Sequence, residues 1–404
     1  MSLISNLINH TKKLKLSYDK KMLFDSFIQK GFPTIKDEEW KYTSLKNVVS
    51  ENYVLESNFP KLKKEIFANF SLGLKNKLIF SDGVLINSPN IAGLTITDFT
   101  DFNCRENDAL TELNASLAKR GFKIEIGDDA IIKDPIEVLF FNSTKNKFAQ
   151  YRNQIIVGKN SEIKLVERIQ DLSNTSTLTN NFTQIKCDKN SKIEYNKIQN
   201  NHLASKLIDC MNIFQKKDSV CNINTLIFGG GFVRNNLNFE QNGENCESNM
   251  SGLSVLDNDQ IADNHTFVDH KTPNCKSNEM YKGIYLGRSK GVFNGKIMVR
   301  PDAQKIDAFQ SNNNLLLSDY SSIDSKPQLE IYADDVKCSH GCTIGQLDEN
   351  ALFYMRSRGV AKKEAKAILT YAFTSEVIDN ISIPELKTLT QKLLAKKLNV
   401  NIDF

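Results

Sequence analysis

The spacing of hydrophobic and polar positions changes twice along the chain. Between Tyr18 and Lys30, apolar residues recur at intervals of three and four, which predicts an amphipathic helix that ends at Gly31 and Pro33. Its apolar face consists of Leu23, Phe24, Phe27 and Ile28. From about residue 76 the pattern becomes short runs rich in β-branched residues and Phe, separated by Gly, Asn, Asp and Ser, which predicts strands. The clearest runs are 77–80, 153–157, 162–167, 182–187, 192–198 and 219–228.

A repeat runs through these predicted strands. The sequence Gly-Lys-Asn-Ser-Glu-Ile at 158–163 returns as Asp-Lys-Asn-Ser-Lys-Ile at 188–193, thirty positions later. A third copy, Lys-Asp-Ser-Val at 217–220, begins twenty-eight positions after its counterpart Lys189. Each copy is a polar turn that leads into a strand, and such periods are typical of stacked coils. The repeat favours a β-solenoid, whose coils bury their inward side chains on one another, over a β-sandwich with similar turns.

Helical spacing returns after Asp348. One apolar stripe is formed by Ala365, Ile368, Leu369, Ala372, Phe373 and Val377. A second helix is predicted to start at 382–385, where Ser382 and Glu385 have the spacing of a capping box. Two amphipathic helices at the end of a solenoid can cap its open strand edges or dock a partner, and the pattern favours neither.

Length and composition narrow the class of protein. At 404 residues the chain could hold two or three ordinary domains, but the repeat predicts one elongated solenoid with helical ends. We expect a helical region at 1–75, the solenoid core at 76–348 and a second helical region at 349–404. The chain has 52 Lys and Arg against 48 Asp and Glu, and its net charge of +4 argues against a dedicated nucleic-acid binder.

Targeting and nucleotide-binding signatures are absent from the sequence. No window approaches the roughly 20 apolar residues of a membrane span, and the first residues do not have the pattern of a secretory leader. We therefore expect a soluble, cytoplasmic protein whose eight cysteines are reduced thiols. A P-loop motif is also missing, so ATP should not bind to this chain in that way.

The strongest candidate for chemistry is the run Cys338-Ser339-His340-Gly341-Cys342. Thiolate and imidazole are ligands that suit zinc, copper and iron–sulfur clusters. On an extended strand Cys338, His340 and Cys342 would point to one face, unless Gly341 bends the chain. Three ligands are one short of a closed tetrahedral site, so a partner or an exogenous ligand would complete it. The alternative is two buried structural cysteines and a hydrogen-bonded histidine.

Other chemically capable residues have simpler interpretations. His265 and His270 bracket Asp269 and could form a metal or acid–base site, but strand histidines bonded to polar neighbours are more common. Trp40, in a charged stretch, is expected to be a packing anchor, and Gly229-Gly230-Gly231 a turn between strands. Buried core positions are predicted for Cys187, Cys210, Cys221 and Cys246, whereas Cys104 and Cys275 carry no signal.

Several segments resemble a known family. Residues 326–341, with the sequence KPQLEIYADDVKCSHG, look like the signature of the SufB/SufD family of iron–sulfur assembly proteins. Further matching segments are 281–283, 291–297, 303–305 and 352–359. The motif EEWKYT at 38–43 and the histidine at position 340 are similar to those of the SufD branch of that family.

This resemblance implies a right-handed parallel β-helix core between helical regions, in a non-catalytic scaffold subunit. Its implied partners are a SufB-like subunit, bound core to core as a heterodimer, and a SufC-like ATPase bound by the C-terminal helices. A homodimer in isolation is also compatible with the family. The implied cofactor is an iron–sulfur cluster that is transient and shared with SufB, and ATP enters only through SufC.

The resemblance also suggests roles for residues of the cysteine and histidine run. It implies His340 as a candidate cluster ligand at the SufB interface and Cys338 as a second one. Cys342 departs from the small residue expected there, so it either adds a ligand or packs.

Two other interpretations compete with this one. A β-helix enzyme that cleaves carbohydrate could use Asp334-Asp335 as an acid–base pair, but adjacent strand residues point to opposite faces. A purely structural subunit would bind nothing through its cysteines and histidine.

Overall fold

Strands occupy the middle of the chain and helices lie toward both ends. The computed structural model describes residues 3–56, 62, 64–98 and 108–400. The helices are α1 Leu3–Thr11, α2 Tyr18–Lys30, α3 Lys46–Val49, α4 Lys64–Ala68, α5 Ala109–Leu117, α6 Glu349–Ser357, α7 Lys362–Asp379 and α8 Pro384–Lys397, with a 3₁₀ turn at Glu38–Trp40. Among the described residues, none of these helices combines the length and the apolar character that crossing a bilayer requires.

The strands follow one another at short intervals. They are β1 Asn76–Ser81, β2 Val84–Asn87, β3 Leu94–Asp98, β4 Phe122–Ile126, β5 Ile136–Asn142, β6 Phe148–Val157, β7 Glu162–Asp171, β8 Thr177–Cys187, β9 Lys192–Gln199, β10 Ser205–Gln215, β11 Val220–Ile227, β12 Phe232–Gln241, β13 Glu247–Leu256, β14 Ile261–His270, β15 Lys276–Tyr285, β16 Lys290–Val299, β17 Ile306–Leu316, β18 Ser322–Ile331 and β19 Val336–Gly345. Each run predicted from the sequence falls on one of these strands.

The strands form a two-sided solenoid. Within the described residues, the first sheet has the order β19-β17-β15-β13-β11-β9-β7-β5-β1-β2, and the second sheet has the order β18-β16-β14-β12-β10-β8-β6-β4-β3. From β4 onward each strand pairs in parallel with the strand two places further along, so the chain alternates between the sheets in about eight coils. The predicted solenoid is therefore confirmed, and the β-sandwich alternative is wrong.

The sequence repeat marks a column of left-handed turn residues. Asn160 and Asn190 have φ values of 54° and 55°, a conformation that Asn and Asp adopt more readily than other side-chain-bearing residues. The Nδ2 atom of Asn190 donates to Oδ1 of Asn160 at 3.0 Å, and its backbone N–H donates to the carbonyl of Lys217 in the next coil. The corresponding positive-φ residues of neighbouring coils are Asp129, Asp218, Asn245, Asn274 and Lys305.

The N-terminal region packs on the outer face of the second sheet. Helix α2 has the predicted bounds, and Phe24 and Phe27 on its apolar face are buried. Trp40 is also buried, with the Arg234 guanidinium carbon 4.2 Å from its ring centroid, so the predicted packing anchor is confirmed. Arg234 in turn donates to Asp263 at 2.6 Å, which neutralises a charge that burial would otherwise penalise.

The C-terminal helices lie along the side of the first sheet instead of over its end. Ile378 of α7 and Leu386 of α8 are fully buried in one cluster with Leu226, Leu253 and Ile284, which point outward from the sheet. These outward apolar side chains need cover, and the two helices provide it. The interpretation of the helices as an end cap is therefore wrong. In the described part of the chain, the last coil, β18 with β19, has no strand or helix stacked beyond it, and we term it the open end.

Two local details of these helices differ from the predictions. The stripe on α7 is rotated, because Ile368 and Ala372 are exposed while Thr370 and Thr374 are buried. The threonine hydroxyls donate to carbonyls of their own helix, which makes their burial inexpensive. The capping box is also wrong, since the Ser382 hydroxyl donates to Glu194 of β9 and α8 begins with Pro384 in its first turn.

One inward column of the first sheet changes from apolar to polar toward the open end. The inward column that runs through Leu165, Tyr195, Ile223 and Met250 continues with Glu279 in β15. Glu279 is fully buried, and this burial raises the pKa of its carboxyl to about 7. The folded state therefore holds a proton on Glu279 at pH values where the unfolded chain has released it.

Replacing Asn190 should test the turn column. Asn190→Ala keeps the backbone but disfavours positive φ, and we expect a loss of roughly 1–2 kcal/mol in the free energy of urea-induced unfolding. Asn190→Gly adopts positive φ without strain and should lose less. Equal losses for the two variants would contradict a conformational role for this position.

Glu279 should make stability fall as pH rises. Its ordinary pKa of 4.5 is raised to about 7, so its protonation stabilises the fold fully below pH 4.5 and this contribution disappears as pH rises through 7. In Glu279→Gln this contribution is absent. Between pH 5 and 8 the free energy of unfolding of the wild type should therefore fall by up to roughly 3 kcal/mol more than that of the variant. Urea unfolding of both proteins across this range measures the difference, and parallel pH profiles would contradict the assignment.

Candidate functional site

The candidate ligands lie on β19, the last strand of the first sheet. Cys338, His340 and Cys342 are the register partners of Ala308, Gln310 and Asn312 on β17. The pairing continues without a break through Gly341, so alternate residues keep to one face of the strand, as predicted.

That face is the inward face of the solenoid. The β17 partners of the three residues are buried at 3% exposure or less, because β19 lies against them. Within the described residues no further strand pairs with β19, so its own inward side chains become progressively uncovered along the strand. Side chains that would be buried in any other coil are therefore exposed at the surface on β19.

The three side chains have different environments. Cys338 is half-buried and packs on a small apolar cluster that includes Ile306, Ala308 and Cys275. Burial, with a contribution from Asp307, raises the pKa of the Cys338 thiol, which disfavours the thiolate that metals bind.

His340 and Cys342, by contrast, are exposed. The Sγ atom of Cys342 donates to Oγ of Ser325 on β18 at 3.1 Å. No hydrogen bond joins the His340 ring to another residue of the described chain.

Strand geometry keeps these side chains apart. Each strand residue advances by about 3.3 Å, so Cys338 and Cys342 are separated by about 13 Å along β19. Zinc and iron ligands all lie within about 2.3 Å of the metal, so these two cysteines cannot hold one ion on a straight strand. Among the described residues, no three His, Cys, Asp or Glu side chains come together around a possible ion. The ligand roles of Cys338, His340 and Cys342 stay predictions that require groups from another molecule.

The two strand histidines do not form a joint site. His265 faces outward from β14, with Nε2 at 2.9 Å from Asp263 and Nδ1 at 3.2 Å from Glu39. His270 faces the interior, where Nε2 lies 3.0 Å from the Ser277 hydroxyl and burial lowers its pKa to about 4. Their opposite orientations favour the interpretation as polar-bonded strand residues.

The remaining candidates occupy structural positions. Cys187, Cys210, Cys221 and Cys246 are buried as predicted, Cys275 is buried as well, and Cys104 lies outside the described residues. The glycines 229–231 form the turn between β11 and β12. Asp334 and Asp335 are exposed in the turn before β19, where Asp335 pairs through its backbone with residues 304 and 305.

Sequence reasoning missed the polar groups behind β19. Gln310 and Glu279 lie one and two coils below His340 in the same inward column, and the Ser325 hydroxyl lies beside Cys342. The sequence spacing could have indicated this column, because Glu279, Gln310 and His340 are 31 and 30 positions apart, close to the period of the repeat. Following the repeat coil by coil would have aligned them.

Comparisons with known proteins agree with this architecture. A family model described as "SUF system FeS cluster assembly, SufBD core domain" matches residues 140–373, more than half of the chain. The iron–sulfur cluster assembly protein SufD of Escherichia coli is 27% identical over 383 residues, which cover 91% of this chain and 89% of that protein.

Two further relatives carry the same family description. A SufBD family protein of Synechocystis is 27% identical over 388 residues, covering 88% of this chain and 85% of its own. A SufBD family protein of Mycobacterium leprae is 34% identical over 179 residues, covering 42% of this chain and 46% of its own. The chain therefore belongs to the SufBD family of the SUF system, whose role is iron–sulfur cluster assembly.

Proposed function

We propose that this chain is a non-catalytic scaffold subunit that joins a SufB-like subunit and a SufC-like ATPase in iron–sulfur cluster assembly. The observation that carries the proposal is the position of His340 on the inward face of an open last coil. A single imidazole presented at a surface has one metal-binding nitrogen and needs partner ligands to hold a cluster.

The open end is the proposed surface for the SufB-like subunit. A solenoid that ends without a cap exposes unpaired backbone groups and core-facing side chains, which another β-helix core can cover. Ile331, Tyr332 and Ile344 are exposed apolar or aromatic residues at this end. Their burial would favour association by the hydrophobic effect, and it would enclose His340 within the interface.

Within that interface we assign unequal roles to the three candidates. His340 is the primary ligand, because its ring is exposed and makes no hydrogen bond within the described chain. Cys342 is a secondary ligand beside it, accessible but bonded to Ser325. Cys338 is the weakest of the three, because it packs into the core with a raised thiol pKa. The cluster is transient and shared with the SufB-like subunit.

The region 349–404 is the proposed docking site for the SufC-like ATPase. Phe353 and Tyr354 on α6 are 73% and 59% exposed, and Ile368 on α7 is 38% exposed, although all three are large hydrophobic residues. Exposed apolar side chains on neighbouring helices are typical of protein-binding surfaces. In this arrangement ATP acts only through the partner.

The same helices are firmly attached to the solenoid. Lys282 of β15 donates to Glu376 at 2.7 Å and to the carbonyl of Phe373 at 2.9 Å, both on α7. Movement of an ATPase bound to α6 and α7 would therefore be transmitted to the coils next to the open end. We propose that this motion rearranges the contact with the SufB-like subunit and exposes His340 for cluster ligation. The cytoplasm is the proposed compartment, since reducing conditions favour free thiols such as those of the described cysteines.

Replacing His340 tests the ligand role. We expect His340→Ala, co-expressed with both partners and purified anaerobically, to retain roughly tenfold less iron and sulfide than the wild-type complex, since a cluster ligand is lost. The control is Ser339→Ala, an exposed neighbour on the opposite face of β19. Unchanged cluster content and transfer in His340→Ala would instead favour a purely structural subunit.

Replacing exposed apolar residues tests the docking surface. Phe353→Asp and Ile368→Asp should each weaken binding of the SufC-like ATPase by about tenfold or more, because a charge replaces an apolar contact. Isothermal titration with the purified ATPase measures the effect, and the melting temperature should stay unchanged because both side chains are exposed.

A matched control lies on another part of the molecule. Tyr18 is 76% exposed at the start of α2. The variant Tyr18→Asp should leave the affinity for the SufC-like ATPase unchanged. Point variants are preferable to removal of α8, whose Leu386 and Leu394 are fully buried against the solenoid. Wild-type affinity in both α6 and α7 variants would place the docking site elsewhere.

A further inference from the structure

A buried polar column leads from the interior to His340. Glu279 on β15, Gln310 on β17 and His340 on β19 are register partners in successive coils and share the inward face. Glu279 is fully buried and Gln310 is 2% exposed, whereas His340 is exposed at the open end. Polar side chains in such positions need hydrogen-bond partners.

The hydrogen bonds of this column set the orientation of the Gln310 amide. Oε2 of Glu279 accepts from the Thr266 hydroxyl at 2.6 Å and from Nε2 of Gln310 at 3.0 Å. With its amino group turned toward Glu279, Gln310 directs its carbonyl oxygen elsewhere. That oxygen, Oε1, is buried and has no hydrogen-bond partner within the described chain.

The second sheet leaves space for this amide. Gly295 on β16 lies directly against it, and a Cβ atom at that position would be 2.2 Å from Nε2 and 2.7 Å from Cδ of Gln310. Any side chain at position 295 would displace the amide, so the glycine is required for the observed placement. Gly295 belongs to the segment 291–297 that the sequence marked as a motif.

The neighbour of Gln310 on the open side is a hydrogen-bond donor. A neutral imidazole carries one N–H and one free lone pair, so it can donate to an acceptor while its other nitrogen binds a metal. Metal-binding histidines usually donate in this way to a carboxylate, carbonyl or water, which fixes the tautomer and the direction of the ring.

We propose that Gln310 is a positioning residue for His340: in the assembled site the ring N–H of His340, which makes no hydrogen bond within the described chain, donates to Oε1 of Gln310, so that the other ring nitrogen faces the iron. All hydrogen bonds along the column then run in one direction, because His340 donates to Gln310 and Gln310 donates to Glu279. This inference rests on the proposed ligand role of His340. It assigns to the buried Oε1 atom the partner that it otherwise lacks.

Two replacements of Gln310 separate positioning from space filling. Gln310→Met has nearly the same length and fills the space over Gly295, but it provides no comparable acceptor. Gln310→Glu keeps an acceptor at this position. In the complex with both partners, prepared anaerobically, we expect Gln310→Met to retain about tenfold less iron and sulfide and Gln310→Glu to stay within about twofold of wild type.

The opposite pattern would overturn the proposal. A side chain that merely fills the interior would tolerate Met and not a buried carboxylate, so retention in Gln310→Met with loss in Gln310→Glu contradicts positioning. Loss in both variants contradicts it as well. Melting temperatures of the isolated chains show whether each variant is folded.

Two further variants complete the experiment. Gln199→Met removes another buried amide, four strands away in the first sheet, and should match wild type, whereas an equal loss there would overturn the specific role of Gln310. His340→Ala separates the two proposals. If it retains the cluster, the ligand role itself fails. If it loses the cluster while Gln310→Met does not, only the positioning role fails.

Discussion

Parallel pairing of each coil with the next is the interaction on which the molecule depends. Inward side chains of one coil are buried only because another coil lies on top, and backbone N–H and C=O groups are satisfied in the same way. This constraint repeats without change from β4 to β19. Among the described residues no further strand pairs with β19, and the candidate ligands lie on this last strand.

The turns and the interior adapt to this stacking in different ways. At the turns, Asn and Asp accept the left-handed backbone and bond to their counterparts one coil away. In the interior, apolar columns alternate with buried polar groups, such as the Lys197–Asp209 pair in the middle coils and Glu279, Gln310 and Asn312 near the open end. Burying these groups costs free energy unless each is bonded. Lys197 and Asp209 meet this requirement by pairing with each other, whereas the Oε1 atom of Gln310, next to the open end, has no hydrogen-bond partner within the described chain.

The helices of the described chain leave this end uncovered. The N-terminal region covers the outer face of the second sheet through Trp40 and Arg234, and the C-terminal helices cover the outer face of the first sheet through residues such as Leu386. Both therefore lie on the sides of the coils. The open end and the exposed side chains of α6 and α7, such as Phe353 and Ile368, are the surfaces that we propose for the two partners.

The sequence by itself determined the elements and their periodicity. The 28- and 30-residue spacings, the helix at Tyr18–Lys30 and the common face of Cys338, His340 and Cys342 all follow from local patterns of side chains and backbone preference. These features depend on neighbours in sequence or on a repeat, and both are visible in one dimension.

Only the tertiary structure decided what lies against what. Ser382 bonds to Glu194, almost two hundred positions away, instead of capping its own helix, and α7 turns Thr370 inward instead of Ile368. The environments of Cys338 and His340 differ because one lies under packed neighbours and the other beyond the last covered position of the coil. Such outcomes depend on contacts between distant segments, and residue spacing along the chain carries no record of them.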